Sequence, residues 1–215
     1  MIFSSSATVY GNQKFPVNET CQTGINITNP YGKTKFMIEE ILKDLCNSDK
    51  NFKIICLRYF NPIGAHKSGL IGENPNDIPN NLMPIIIKVV SGQISKLSIY
   101  GNDYNTPDGT CIRDFIHVED LAYGHLLSVN KIDETNGFNA INLGTGVGTS
   151  VLELINTFEL VNNIKINYDV VNRREGDLEI VYSDVSLAKR LLGFECKYNL
   201  EDCCIDAYNY AKQII

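Results

Sequence analysis

Apolar and polar positions along this chain predict short strands and helices in alternation. Runs of apolar residues predict strands at 1–6, 52–60, 96–100, 114–117, 139–143 and 164–171. Apolar positions three or four residues apart predict helices at 30–47, 79–91, 118–131, 150–158, 185–192 and 200–214. Residues 61–77 are rich in Gly, Pro and Asn and predict a loop. Alternation of this kind is typical of an α/β fold with a mainly parallel sheet.

The helix predicted from Pro30 carries the first candidate chemistry. Asn29 is a favourable N-cap, and Pro30 suits the first helical position. Tyr31 and Lys35 then share one helix face, where an ammonium and the positive helix end favour the phenolate that a general base needs. The spacing alone also fits an exposed helix pair, because Tyr-x-x-x-Lys recurs in two pairs that we interpret as surface pairs, Tyr10/Lys14 and Tyr208/Lys212.

Composition narrows the class of protein only modestly. The 215 residues form one large or two small domains, and a formal net charge of -6 argues against a nucleic-acid binder. The chain has no apolar run of eighteen residues and no signal segment, so we expect no membrane span. Seven cysteines without C-x-x-C spacing predict reduced thiols in a cytoplasmic protein, and three scattered histidines indicate no metal site.

Eight ordered motifs carry a specific resemblance to a known family. They are FSSSATVYG at 3–11, PYGKTK at 30–35, RYFNPIGAH at 58–66, IPNNLMP at 78–84, YGNDY at 100–104, DGT at 108–110, RDFIHV at 113–118 and RREGD at 173–177. With these motifs the chain resembles, along nearly its whole length, the UDP-glucose 4-epimerases (UDP-galactose 4-epimerases). This family belongs to the extended short-chain dehydrogenases/reductases.

The resemblance implies a particular α/β architecture. It is a partial Rossmann-type doubly wound parallel sheet, with its first strands missing, and a smaller mixed α/β substrate-binding domain. Residues 1–61, with 114–145 returning to them, are expected to form the remaining NAD-binding domain, and 62–215 mainly the UDP-sugar-binding domain. The family's glycine-rich phosphate loop lies in an N-terminal part, on the order of 100 residues long, that has no counterpart here. We therefore expect an unpaired first strand and a poorly folded or aggregating isolated chain, which size-exclusion chromatography with light scattering tests.

The resemblance also implies an activity and its catalytic residues. The complete protein is expected to be an NAD-dependent isomerase of galactose metabolism, a homodimer that interconverts UDP-galactose and UDP-glucose. Tyr31 would remove the sugar 4-hydroxyl proton, Ser6 would hydrogen-bond that oxygen, and Lys35 would support the phenolate and bind the nicotinamide ribose. Phe60 matches a further cofactor-contacting position. NAD would take the hydride from sugar C4 and return it, so net redox is zero.

Further residues are implied for the UDP-sugar. Guanidinium forks suit phosphate oxygens, so Arg113 and Arg174 would hold the diphosphate and ribose, and Asp177 would accept from a ribose hydroxyl. Val181 stands where a bulky Tyr excludes N-acetyl sugars in some members, so we expect UDP-GlcNAc and UDP-GalNAc to be accepted as well. Phe115 replaces a Tyr that is frequent in the family. Other positions would line the phosphate and sugar path or read uracil through the backbone: Asn61, Asn81, Leu82, Ser98, Ile99 and Tyr100.

Other interpretations assign a different chemistry to this chain or no activity at all. A 4,6-dehydratase needs an Asp-Glu pair where this chain has Ala7 and Thr8, which cannot perform that proton transfer. The glycines at 144–148 lack the G-x-G-x-x-G spacing, so they predict a turn rather than a dinucleotide loop. The alternative is an N-terminally truncated, inactive epimerase fragment that retains UDP-sugar contacts. An N-terminal half supplied by another chain also stays open.

Overall fold

The computed structural model describes residues 1–77 and 79–214, with the side chain of residue 214 outside the description. Ile78, which belongs to one of the family-like motifs, lies outside the described residues. The helices are α1 Pro30–Ser48, α2 Leu82–Val90, α3 Val118–Lys131, α4 Val151–Asn162, α5 Ser186–Leu192 and α6 Leu200–Ile214. The strands are β1 Ile2–Ser6, β2 Lys53–Tyr59, β3 Asn61–Ile63, β4 Leu97–Tyr100, β5 Ile112–Arg113, β6 Phe115–His117, β7 Gly137–Leu143, β8 Thr149–Ser150, β9 Tyr168–Val171 and β10 Ile180–Val181.

A parallel sheet in the order β1-β2-β7 forms the first half of the core. Its central strand β2 is buried on both faces. Ile54 and Cys56 pack with Leu42 of α1, whereas Ile55 and Leu57 pack with side chains of α3 and α5. Helices on both faces of a parallel sheet define a doubly wound α/β arrangement, so the predicted fold class is confirmed.

The β1 strand lies at an edge of this sheet. Among the described residues it pairs only with β2, in a register that sets Ser6 opposite Tyr59. The outer edge therefore leaves backbone groups such as the Ser4 carbonyl for other partners. The carboxyl ends of β1 and β2 lie side by side, which brings together the residues that follow them.

The second core is built mainly from helices α2, α4 and α6. Leu154 and Phe158 of α4 pack against Cys204 and Ala207 of α6, and Ile86 of α2 completes the buried group. Short strands surround this core in three further pairings: β3 with β6, β4 with β9, and the three-stranded set β10-β5-β8. All of these pairings are parallel except β5 with β8.

Several predicted element boundaries were wrong. The loop predicted for 61–77 opens with β3, because Asn61 donates its backbone N–H to Asp114 and so extends the pairing with β6. Helix α2 begins at Leu82 rather than 79, since Asn81 is extended and acts as its N-cap. Strand β9 begins at Tyr168 rather than 164. The two-residue strands β5, β8 and β10 were not predicted, because two residues show no periodicity.

The two other Tyr-x-x-x-Lys pairs are not simple surface pairs. Tyr10 is only 1% exposed, and its hydroxyl donates to Asn142 Oδ1 at 2.7 Å, so the prediction of a surface tyrosine was wrong. Tyr208 is half-buried against the helical core, with its ring at the edge of Phe158. Lys14 and Lys212 are exposed.

The glycine-rich segment at 144–148 binds a carboxylate of the protein itself. Asp114 is fully buried, and its Oδ1 accepts from the backbone N–H of Thr145 at 2.7 Å. Its Oδ2 accepts from Gly146 N at 3.1 Å and from Ser183 Oγ at 2.5 Å. The backbone N–H groups of this turn therefore bind the Asp114 carboxylate. A phosphate loop binds its anion through backbone N–H groups in the same way, which explains the likeness.

Candidate active site

Ser6 lies where β1 ends, and Tyr31 lies in the first turn of α1. Ser6 ends β1 and caps the 3-10 turn Ala7–Tyr10, accepting from Thr8 N at 3.2 Å and Thr8 Oγ1 at 2.9 Å. In α1, Asn29 Oδ1 accepts from Gly32 N at 2.7 Å, as the N-cap prediction required. A Cβ on Gly32 would lie 3.1 Å from both Thr8 Cβ and Thr8 O. Only glycine lets the first turn of α1 approach this closely, and Tyr31 is the residue just before it.

Lys35 lies one turn further along α1, on the side of Tyr31. Its Nζ is 5.5 Å from the centre of the Tyr31 ring and donates to the Ser4 carbonyl at 2.8 Å. The ammonium is thus fixed between the β1 edge and the tyrosine. The Tyr31 side chain is 55% exposed, so its hydroxyl is open to a ligand. Lys35 thus joins the first turn of α1 to β1, the strand that ends at Ser6. The role of Ser6, Tyr31 and Lys35 as one triad stays a prediction.

A buried ion pair fixes α1 against the sheet, and sequence analysis did not find it. Glu39 is fully buried, and its carboxylate accepts from Arg58 Nε at 3.0 Å and Arg58 Nη2 at 2.6 Å. Ser5 Oγ donates to Glu39 at 2.5 Å, and Arg58 Nη1 donates to the Tyr10 hydroxyl at 2.9 Å. Burial lowers the pKa of Arg58, but the hydrogen bonds and charge interactions with Glu39 and Tyr10 together outweigh burial, so the net pKa is raised. Burial raises the pKa of Tyr10 to about 12, so its hydroxyl stays protonated.

Tyr59 lies on the face of the sheet opposite α1 and makes polar contacts with β1 and α3. Its hydroxyl lies 2.7 Å from Ser4 Oγ and also contacts His125 Nε2. Burial raises the pKa of Tyr59, and the negative charge of a Tyr31 phenolate acts in the same direction, while the Ser4 hydrogen bond lowers it. Tyr59 therefore stays a neutral phenol. The sequence offered no local signal for this residue.

Phe60 connects the triad to the second half of the chain. It follows β2, is 7% exposed and donates its N–H to the Leu143 carbonyl at 3.1 Å. Its ring belongs to a buried cluster with Ala7 and Val9, and Val181 packs against this cluster. The predicted cofactor contact and the predicted sugar-size position are therefore neighbours of one apolar group.

The two predicted diphosphate-binding arginines converge on Asp177. Arg174 donates to both carboxylate oxygens of Asp177, at 3.2 and 2.9 Å, and this hydrogen bonding raises the pKa of Arg174. Arg113 Nη2 lies 3.9 Å from the same carboxylate, and Arg113 sits opposite Val181 in the β5–β10 pairing. Arg174 also lies 5.3 Å above the Tyr100 ring. Residues far apart in the chain thus form one positively charged group around one acid.

The free edge of β4 is suited to backbone recognition of a base. Leu97 N donates to Asn167 O and Gly101 N to Val171 O, both at 2.8 Å, so these groups face β9. Backbone groups alternate in direction along a strand, so those of Ser98 and Tyr100 point to the opposite edge. Among the described residues that edge pairs with no strand. Ile99 is buried and holds the strand in the core.

The remaining predicted substrate residues lie at element ends. Asn61 begins β3, Asn81 is the extended N-cap of α2, and Leu82 is its first residue. A helix beginning with free N–H groups favours an anionic ligand, in keeping with a phosphate path at this position. Phe115 is buried in the helical core, where its ring needs no hydrogen-bond partner.

One cluster of possible metal ligands lies away from these residues. Ligand atoms of His117, Glu119 and Asp206 lie within 4.8 Å of one another. However, His117 Nδ1 accepts from the backbone N–H of Glu119 at 3.0 Å, so the proton of the neutral ring is on Nε2, which lies 3.4 Å from Asp206. A metal bond at Nε2 would leave the ring with no proton. The donor set thus favours a His–Asp contact that joins β6 to α6.

All seven cysteines are free thiols in the described residues. Burial raises the pKa of the Cys203 and Cys204 thiols, the latter to about 12, which makes both poor nucleophiles. Every helix in the described part of the chain is too short or too polar to cross a lipid bilayer.

The class of protein follows from a comparison with family models. The family model described as "NAD dependent epimerase/dehydratase family" matches residues 1–144. The chain belongs to this family.

Individual relatives show which members of this family the chain resembles. The chain is 51% identical over 213 residues to the UDP-glucose 4-epimerase of Pasteurella multocida and 50% identical over 214 residues to that of Homo sapiens. Each alignment covers 99% of this chain, but only 63% and 61% of the respective relative, so the chain spans about three fifths of their length.

Solved structures agree with this likeness. The UDP-glucose 4-epimerase of Stenotrophomonas maltophila, with bound NAD and formylated UDP-arabinopyranose, superposes with a TM-score of 0.95 at 45% identity. The enzyme of Bifidobacterium longum, in complex with NAD+ and UDP, gives 0.94 at 46% identity. Both cover 99% of this chain and leave 37% of their own chains unmatched, since it covers 63% of each.

Proposed function

We propose that this chain supplies the catalytic triad and the UDP-sugar site of a UDP-glucose 4-epimerase, which interconverts UDP-galactose and UDP-glucose. One observation carries the proposal: Lys35 contacts both Tyr31 and β1, the parallel strand whose carboxyl end is Ser6, and ligands of α/β sheets bind at such strand ends. The names and bound ligands of the relatives support the same activity.

In this mechanism the chain moves a proton at the sugar 4-oxygen. The Tyr31 phenolate accepts the 4-hydroxyl proton, and Lys35 stabilises the phenolate through its nearby ammonium. Ser6 donates a hydrogen bond to the same oxygen and holds it near Tyr31. When the second sugar epimer forms, Tyr31 returns its proton to that oxygen, so the chain ends in its starting state.

The residues at this edge fit a nicotinamide cofactor. Lys35 and Tyr31 offer groups for the ribose, and the buried Phe60 ring and Ser6 border the same strand ends. When bound, NAD supplies the reversible oxidation at sugar C4 that makes inversion possible. These residues contribute the nicotinamide side of such a site.

In this proposal the protein binds its substrate mainly through the UDP moiety. Arg113 and Arg174 exchange part of their contact with Asp177 for the diphosphate, and Asp177 then accepts from a ribose hydroxyl. The Ser98 and Tyr100 backbone groups read the uracil edge. Asn61, Asn81 and Leu82 line the path between diphosphate and sugar.

The same proposal includes a homodimer and a cytoplasmic location. Met37 and Ile41 of α1 are 60% and 64% exposed, which gives α1 an apolar outer face suited to a homodimer. The free thiols fit a cytoplasmic protein.

The second candidate is an inactive fragment that retains only the UDP-sugar contacts. The chain spans 61–63% of the length of these relatives. The test compares this chain with a joined protein, in which the unmatched N-terminal part of the Pasteurella multocida relative is fused before Met1. We expect NAD content and conversion of UDP-galactose only in the joined protein. Conversion by the chain as given would contradict our account of the cofactor site, and none by an NAD-loaded joined protein would refute the epimerase proposal.

Val181 provides a prediction about the range of sugars. Val181 is half-buried beside the Phe60 cluster, so a Tyr there would fill the space that an N-acetyl group needs. In the joined protein, Val181→Tyr should lower conversion of UDP-GlcNAc about tenfold or more relative to UDP-glucose. Val181→Ala, which adds no volume, is the control and should leave the ratio within about twofold. An unchanged ratio in Val181→Tyr would show that this position does not set sugar size.

A further inference from the structure

Two loops leave the β4–β9 pair side by side. Tyr100 pairs with Val171, so residues 101–109 and 172–177 start from the same end of the two strands. The first loop follows the strand whose backbone is proposed to read uracil. The second carries Arg174 and Asp177, proposed to hold the diphosphate and ribose.

One arginine outside the proposed contacts ties these loops together. Arg173 Nε donates to Asp103 Oδ1 at 2.7 Å, and its Nη2 donates to the Asp103 carbonyl at 2.6 Å. The same guanidinium lies 4.0 Å from the centre of the Tyr104 ring. Three interactions from one planar group fix its orientation, which a flexible ammonium would not do.

The chain leaves room for this contact at Gly101. A Cβ there would lie 2.7 Å from Tyr104 Cε2 and 2.8 Å from Arg173 Cγ, and Gly101 has φ +85°, a conformation that side chains disfavour. The loop is closed by Tyr104 N donating to Gly109 O at 3.0 Å. Tyr104 is buried, so the stack on Arg173 rests on a fixed ring.

We propose that Arg173 and Asp103 form a clamp that couples the uracil-reading edge of β4 to the diphosphate-binding group of Arg174 and Asp177. Arg173 is then a positioning residue of the UDP site: it holds two recognition groups at the spacing of one UDP molecule before the ligand arrives. The inference rests on the proposed function for the identity of the ligand. Preorganisation raises affinity because less ordering remains to be done on binding.

The clamp contributes mainly to orientation and little to stability. The side chains of Arg173 and Asp103 are 46% and 69% exposed, and exposed ion pairs stabilise folded proteins weakly. Variants that lack the clamp should therefore fold normally. This separates a positioning role from a structural one.

The experiment measures ligand binding by calorimetry in the joined protein, without turnover. The probes are UDP, which spans both groups, and pyrophosphate, which offers only the diphosphate. Asp103→Asn and Arg173→Gln should each raise the Kd for UDP about five- to tenfold and leave the Kd for pyrophosphate within about twofold. Melting temperatures should stay close to that of the parent protein.

The matched control removes a different ion pair, which links β9 to the residue just before β4. Lys96 Nζ lies 3.0 Å from Asp169, toward the amino end of the β4–β9 pair. Lys96→Gln should leave the Kd for UDP within about twofold. Unchanged UDP affinity in both clamp variants would overturn the inference. Equal losses of affinity for UDP and for pyrophosphate would also overturn it, because they would show that Arg173 binds the phosphates directly. Failure of the parent protein to bind UDP would instead refute the proposed UDP site and the clamp with it.

Discussion

Replacing Tyr31 by Phe is expected to lower UDP-galactose conversion by the joined protein about 10² to 10⁴-fold. The substitution removes one hydroxyl that is exposed at the strand end and keeps the ring beside Lys35. The phenol is the proposed acceptor of the sugar 4-hydroxyl proton, and its removal leaves no group in the triad able to replace it. The Kd for UDP should stay within about twofold, because the UDP contacts lie on other elements.

Tyr208→Phe is the matched control for this prediction. Tyr208 has the same spacing to a lysine in α6, and Lys212 Nζ lies 4.5 Å from its ring centre, yet it is remote from Ser6 in the fold. Conversion by this variant should stay near the parent value. If Tyr31→Phe retained a third or more of the activity, or if both variants lost activity equally, Tyr31 would not be the base.

Replacing Glu39 by Gln is expected to destabilise the fold by about 3–5 kcal/mol. The change leaves the buried positive charge of Arg58, which is 2% exposed, without the carboxylate that accepts its two hydrogen bonds. A loss of this size is a large share of the roughly 5–15 kcal/mol that stabilises a typical domain. Urea unfolding of the joined protein measures the change in free energy of unfolding.

Two controls isolate the buried charge. Glu40→Gln alters the neighbouring exposed pair with Lys43 and should cost less than about 1 kcal/mol. The double variant Glu39→Leu/Arg58→Met removes both charges and should lose less stability than Glu39→Gln alone. If Glu39→Gln cost no more than Glu40→Gln, the ion pair would not be what anchors α1.

Local sequence signals predicted the parts of the site that depend on one element. The Asn29 cap, the start of α1 and the shared face of Tyr31 and Lys35 follow from residues within one helical turn. The strand ending at Ser6 and the turn at 144–148 were also correct. The physical cause of each of these features acts over only a few residues. These causes are a helix cap, the spacing of apolar residues, and glycines that lack a Cβ atom.

Long-range pairings could not be predicted in this way. Glu39 and Arg58 are 19 residues apart, and Glu39 lies on a helix that otherwise shows an ordinary amphipathic pattern. Asp103 and Arg173 are 70 residues apart and meet only because β4 and β9 pair in parallel. The buried position of Tyr10 depends likewise on Arg58 and Asn142, which come from other strands.

The hydrogen at sugar C4 distinguishes hydride transfer from proton removal at carbon. If Tyr31 is a base on the 4-oxygen, the hydrogen bonded to C4 never becomes an exchangeable proton. Joined protein supplied with UDP-galactose deuterated at C4 in ordinary water should yield UDP-glucose that keeps the deuterium at C4, as nuclear magnetic resonance would show. Replacement of the deuterium by solvent hydrogen would mean that a base removes the proton from carbon, and would contradict the account.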